Sequence, residues 1–150
     1  MQRYFGEVLE GRVILSENDV FHLVKVMRCK IGTEIEIVSD GRVFLARVEQ
    51  VKPLLIKVLK SIKENTELPS DIVLILAALK GDKNDIVLQK ATELGVREID
   101  IFFSERTIVK LKPSECDGKL SRYRRIVKEA SEQSRRSRIP LVSFLTSFND

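Results

Sequence analysis

Lys80-Gly81-Asp82-Lys83 stands where an apolar run gives way to a helical pattern, and Glu132-Gln133 is soon followed by Arg135, Arg136 and Arg138. The first group has the parts of a phosphate cradle. Gly81 lets the backbone approach an anion, Asp82 is placed to cap the helix, and Lys80 and Lys83 supply charge. A capped turn with solvated lysines is the plainer alternative, which so short a motif does not exclude. The second group is the stronger signal. A guanidinium is a planar, permanently charged fork that matches phosphate or a base edge. Three arginines in four residues exceed what a helix C-terminus needs to balance its dipole.

Other candidates carry less weight by themselves. Glu105-Arg106 follows a predicted strand end, where ligand contacts collect in α/β sheets, although a surface ion pair has the same look. Gln89, Lys90 and Glu93 have the spacing of an exposed helix face. Earlier in the chain, Arg3, His22, Lys25, Arg28 and Lys30 suggest a second basic surface, with Lys25 and Arg28 three apart on one helix face. Their ordinary reading is a partly buried histidine among solvated cations.

Several chemistries are disfavoured by what the 150 residues contain. Cys29 and Cys116 have no CxxC or Cys/His spacing and His22 is the single histidine, so no metal site and no histidine-based nucleophile relay is expected. There is no GxGxxG to suggest a Rossmann cofactor site. Aromatic residues are sparse, so an extended aromatic platform for stacked bases is not expected. Net charge is only +4, yet Lys119–Arg138 alone carries +6, so the positive charge is local. No apolar run reaches the roughly 20 residues of a membrane span, and Met1–Gly6 does not read as a leader. A cytoplasmic protein with reduced thiols is expected.

The elements that must position these residues follow from periodicity. Arg12–Leu15, Glu34–Ser39, Arg42–Val51 and Leu54–Ile62 read as strands, and Asp40-Gly41 between two of them is a hairpin signal. Ser16 with Asp19 suits a helix N-cap, after which Val20, Leu23, Val24 and Met27 recur at helical spacing. Glu64–Asp71 is polar, contains Pro69, and reads as a boundary. Beyond it Asp71–Leu79 suits a strand covered on both faces. Lys83–Leu94 reads as a helix packed through Val87, Ala91 and Leu94, with Gly95 as its left-handed cap. Glu98–Phe103 and Leu141–Leu145 read as strands. Lys119–Arg136 is a helix with Leu120, Tyr123, Val127, Ala130 and Ser134 inward, and with Arg122, Arg125, Glu129, Glu132 and Arg136 nearly opposite.

Taken in order, these motifs resemble the RsmE family, the small-subunit (16S) ribosomal RNA uridine N3-methyltransferases of the SPOUT superfamily. Arg3, His22-Leu23, Val26-Met27-Arg28 and Gly32 are similar to its PUA-like RNA-binding domain. Lys80-Gly81-Asp82-Lys83, Gln89–Gly95, Ser104-Glu105-Arg106, Glu132-Gln133-Ser134, Arg136, Arg138 and Pro140 are similar to its catalytic domain. The resemblance implies an α+β PUA-like β-barrel over residues 1–68 and an α/β, SPOUT-type region over 70–150. It also implies methyl transfer from S-adenosylmethionine to a uridine N3, ribosomal RNA or the assembled small subunit as partner, and a homodimer. Arg3, His22, Lys25, Arg28, Lys80, Lys83, Arg106, Arg136 and Arg138 would then meet RNA, with Glu105, Glu132 and Gln133 shaping the pocket. No general base is assigned. Arg135 departs from the family, which usually carries glycine there. The family's Gly-Pro-Glu-Gly-Gly and Leu-Arg-x-Glu-Thr-Ala donor segments have no counterpart before Asp150. These residues are therefore expected to lack the C-terminal knot half and a cofactor site of their own. The alternative is a non-catalytic RNA-binding protein that keeps only the substrate surface.

Overall fold

The computed structural model describes residues 1–63, 66–103 and 113–145. The chain divides into two compact units, Met1–Thr66 and Glu67–Asp150. In the first, strands β1 (Arg3–Phe5), β2 (Glu7–Leu9), β3 (Arg12–Ile14), β4 (Glu34–Ser39), β5 (Arg42–Val51) and β6 (Leu54–Ile62) form one sheet in the order β1-β4-β5-β6-β3-β2. The three long strands fall where alternation predicted them. Asp40 and Gly41 join β4 to β5 with φ of +50° and +72°, the double positive φ of a tight hairpin turn.

Strands β1 and β2 are too short to show a period, and periodicity did not reveal them. They are in effect one strand bent at Gly6, its first half parallel to β4 and its second antiparallel to β3. The two edges of the sheet are thus consecutive in sequence, so the sheet must curl back toward itself. Gly6 is needed at the bend, since a Cβ there would lie 2.7 Å from the Ile14 carbonyl oxygen and 2.9 Å from Leu15 Cδ2. Tyr4, Leu23, Ile35, Ile37, Ala46, Val48 and Ile56 fill the interior.

Helix α1 (Glu17–Phe21) starts as expected, with the Asp19 amide donating to Ser16 Oγ at 3.3 Å. It does not continue as an α-helix. His22–Val26 is a π-helical turn, in which the Met27 amide reaches back five residues to the His22 carbonyl at 2.8 Å. The extra residue per turn breaks the predicted stripe: Leu23 is buried, whereas Met27 is exposed.

The second unit contains β7 (Val73–Ala77), α2 (Lys83–Glu93), β8 (Glu98–Phe102), α3 (Pro113–Gln133) and β9 (Leu141–Leu145), with the strands parallel in the order β7-β8-β9. Leu74, Leu76, Ile99, Ile101, Val142 and Phe144 pack with Leu88, Tyr123 and Val127 from the helices. Val73, Ile75 and Leu141, on the opposite face, are exposed. The expectation of a strand covered on both faces is corrected: among the described residues only one face of β7 is covered. The α2 packing face is also corrected. Asn84, Leu88, Ala91 and Thr92 are buried while Leu94 is exposed. Apolar periodicity could not see this, because two of the four inward residues are polar. Each is satisfied locally, Thr92 Oγ1 by donating to the Leu88 carbonyl at 2.7 Å. The α3 stripe stands as predicted, with Tyr123, Val127 and Ala130 buried.

Candidate nucleic-acid interface

Because β7, β8 and β9 run parallel, their carboxyl ends share one side of the second unit and their amino ends the other. Lys80 and Lys83 lie beyond the carboxyl end of β7 and are exposed. Asp82 is the N-cap residue of α2 but makes no side-chain capping bond. Its carboxylate lies 3.8 Å from Arg122, which also pairs closely with Asp85. The predicted capping aspartate instead helps tie the start of α2 to α3, and Arg122 is engaged rather than free.

Asn84, which sequence reasoning passed over, organises this loop. Its amide oxygen accepts from the Leu79 amide at 3.0 Å, and its Nδ2 donates to the Leu79 carbonyl at 3.0 Å and to Tyr123 Oη at 3.1 Å. One buried side chain thus closes the turn after β7 and anchors it to α3. Burial pushes the Tyr123 phenol up, against the opposing effect of this hydrogen bond. The only sequence hint was a polar residue on an inward helical position.

Arg135, Arg136 and Arg138 stand at the other end of the sheet. Helix α3 stops at Gln133, and the next residues close it in a Schellman turn. The Arg136 amide donates to the Ser131 carbonyl at 2.9 Å and the Arg135 amide to the Glu132 carbonyl at 3.4 Å, with Arg135 at φ +59°. Arg135→Gly is therefore expected to stabilise the protein by about 0.5–1 kcal/mol, because an L-residue is strained where glycine is not. A urea denaturation midpoint that rises checks this.

Arg136 is only 4% exposed. Its Nη2 and Nε reach Glu67 at 2.6 and 3.2 Å, and its Nη1 donates to the Val96 and Thr92 carbonyls at 2.6 and 3.2 Å. Glu67 also accepts from the Ser137 amide at 2.7 Å and the Arg138 amide at 3.1 Å. Burial would raise the Glu67 pKa, but the hydrogen bond from Arg136, the Ser137 amide and the Arg136 charge outweigh it and hold the carboxyl below its ordinary value. Arg136, expected to meet RNA, is turned inward in the structure. Its guanidinium bonds Glu67 and the carbonyls at the C-terminal end of α2. Arg138 is exposed. Glu132 is half-buried and paired with Lys128 at 2.8 Å, and Gln133 is exposed. Glu105 and Arg106 lie outside the described residues.

Arg3, in the first unit, is likewise turned inward. Its Nε and Nη2 lie 2.9 and 2.8 Å from Glu36 Oε2, and both side chains are sealed in the interior. Its position on β1, parallel to β4, puts it directly opposite Glu36. His22 is half-buried, its Nδ1 2.9 Å from Tyr4 Oη. Lys25, Arg28 and Lys30 are exposed. Gln89 and Lys90 are exposed and both bond Glu93, as an external helix face would.

The predicted cations thus do not gather in one place. Lys80 and Lys83 face solvent at the carboxyl end of the sheet, Arg138 at its amino end, and Lys25, Arg28 and Lys30 in the first unit. Among the described residues none of the six has a carboxylate at ion-pair distance. The described residues immediately following the carboxyl ends of β7 and β8 are uncharged. Ala78, Leu79 and Phe103 are apolar there, and the nearest cations stand out in solvent.

Residues 66–150 match the model of an RNA methyltransferase domain, and residues 15–59 match that of an RNA methyltransferase PUA domain. The chain belongs to the RsmE family of ribosomal RNA methyltransferases. It is 34% identical to ribosomal RNA small subunit methyltransferase E of Bacillus subtilis, covering 99% of this chain and 61% of that protein. The Synechocystis protein of the same name is 32% identical over 95% of this chain and 46% of its own length. A crystal structure of the Neisseria gonorrhoeae protein of that name, bound to S-adenosyl methionine, superposes with a TM-score of 0.86 at 32% identity, covering 96% of this chain and 62% of that one. The chain therefore spans about 61% or less of the length of these curated relatives. Among the described residues no helix is long and apolar enough to cross a membrane.

Proposed function

We propose that this chain supplies the RNA-holding part of an S-adenosylmethionine-dependent methylation of uridine N3 in small-subunit ribosomal RNA. The observation that carries this reading is the set of exposed cations that have no carboxylate partner among the described residues, with Lys80 and Lys83 at the end of a parallel sheet where ligands collect. Lys25, Arg28, Lys80, Lys83 and Arg138 hold phosphates, and folded RNA is recognised by shape and backbone. The donor supplies an electrophilic methyl group; the protein must draw the uridine from its stack and favour its N3 anion. The names of the relatives and their bound S-adenosyl methionine support this assignment, and a homodimer is part of it.

Binding of a small-subunit ribosomal RNA fragment is expected to weaken steeply as salt rises, because each neutralised phosphate releases counterions. Lys83→Ala should lower affinity for all such RNAs and reduce the salt slope by about one. Filter binding at several salt concentrations tests both, and a flat profile overturns the reading. Titration calorimetry of S-adenosylmethionine into these 150 residues is expected to give no saturable heat. Saturable binding would place the donor site among them.

A further inference from the structure

Residues 20–33 contain Lys25, Arg28 and Lys30 and no carboxylate. The same segment exposes Phe21 by 62%, Val26 by 57%, Met27 by 49% and Ile31 by 71%. Single exposed apolar residues need no explanation, but four within eleven residues, interleaved with three cations, are a patterned surface. The backbone that displays them is specialised. The π-helical turn redirects the chain after Phe21, Arg28 sits at φ +51°, and the segment is then fastened to the sheet by the Gly32 amide bonding the Val48 carbonyl at 2.8 Å. On the inner side Leu23 enters the core, and His22 and Tyr4 are hydrogen-bonded. The apolar residues are therefore held outward by a fixed scaffold. A π-turn is rare beside continued α-helix and is frequent at functional sites.

We propose that this turn engages unpaired nucleotides of the RNA, the cations on the phosphates and Phe21 against the face of an extruded base, with Met27 and Ile31 as further apolar side chains of the same segment. The inference rests on the RNA-binding reading above and adds a substrate feature, a single-stranded loop or bulge rather than duplex. Local charge selects a polyanion. The apolar side chains select one with exposed ring faces, which paired RNA does not present. One ring suffices for one base, so the scarcity of aromatic residues elsewhere is no obstacle. An anionic membrane is the less favoured partner, because α1 and the π-turn end at Val26, so Met27 and Ile31 lie outside any helix that could present one apolar face to an interface.

The test uses the whole chain with two synthetic RNAs, a stem-loop carrying 2-aminopurine in its loop and a blunt duplex of equal charge. Phe21→Ala should weaken stem-loop binding by about tenfold or more, the size of one lost stack, and Ile31→Ala should weaken it less, through lost apolar contact. Phe21→Ala should also abolish the 2-aminopurine quenching, and both should leave duplex affinity and melting temperature unchanged. Phe21→Tyr should restore stem-loop binding. Lys25→Ala should weaken both RNAs and flatten the salt dependence of each. Equal loss on both RNAs in the Phe21→Ala variant, or none, overturns the inference while the RNA-binding reading stands. No binding of either RNA by the unaltered chain removes both. Binding to phosphatidylserine vesicles that the same variants abolish, with RNA binding intact, assigns the surface to a membrane instead.

Discussion

Arg136→Ala is expected to destabilise the second unit by about 3–5 kcal/mol, enough to leave a domain of ordinary stability partly unfolded. The loss is large because the substitution does more than remove one pair. It strands the Glu67 carboxylate in a site only 11% exposed, and it leaves the Val96 and Thr92 carbonyls without their Nη1 donor. Lysine cannot replace the clamp, since a single ammonium cannot reach a carboxylate and two carbonyls with separate, fixed N–H groups. Glu67→Gln in the Arg136→Ala background removes the stranded charge and should recover part of the loss. Urea denaturation, read together with amide exchange at Val96 and Ser137, measures both effects. Arg138→Ala, with its exposed side chain, should leave stability almost unchanged. Equal stability losses at the two arginines would show that Arg136 is no clamp.

The same ion pair sets a direction with pH. The folded-state pKa of Glu67 is lowered, so its contribution is fully present above the ordinary glutamate value of about 4.3 and is lost as pH falls through the lowered folded value. Acid should therefore loosen the contact between Glu67 and the turn at Ser137, and Glu67→Gln should flatten that part of the stability profile.

Arg3→Ala is expected to cost the first unit a similar amount, about 3–5 kcal/mol, by leaving Glu36 charged in the interior. Replacing both partners at once, Arg3→Met with Glu36→Leu, should come out near neutral, because the desolvation of two ions then disappears along with their attraction. Thermal melts of the single and double variants separate the readings. A single variant as stable as the parent would mean that Glu36 finds another partner. An RNA-binding defect in Arg3→Ala should follow its unfolding and vanish under conditions where the variant stays folded.

The sequence by itself determined the elements whose signals are local. Ser16 had its capping geometry, Asp40-Gly41 its hairpin, and β4, β5, β6 and β9 their limits, because alternation and turn chemistry act between near neighbours. The order of separate motifs was enough to indicate the family. What the sequence left undecided was the partner of each charged group. Arg3 and Glu36 are 33 residues apart, Arg136 and Glu67 69 apart, and nothing in their local pattern distinguishes a buried guanidinium from one reaching for phosphate. Arg135, Arg136 and Arg138 looked like one cluster, yet the Schellman turn points successive side chains in different directions, two outward and one into the core. The π-turn was likewise invisible, since a single added residue per turn does not mark the sequence. Topology then set Lys80 and Lys83 at the opposite end of the second-unit sheet from Arg138, because parallel strands carry all their carboxyl ends to one side. Charge type could be read from the chain; its burial, and therefore its role, depended on which distant segments the fold brought against it.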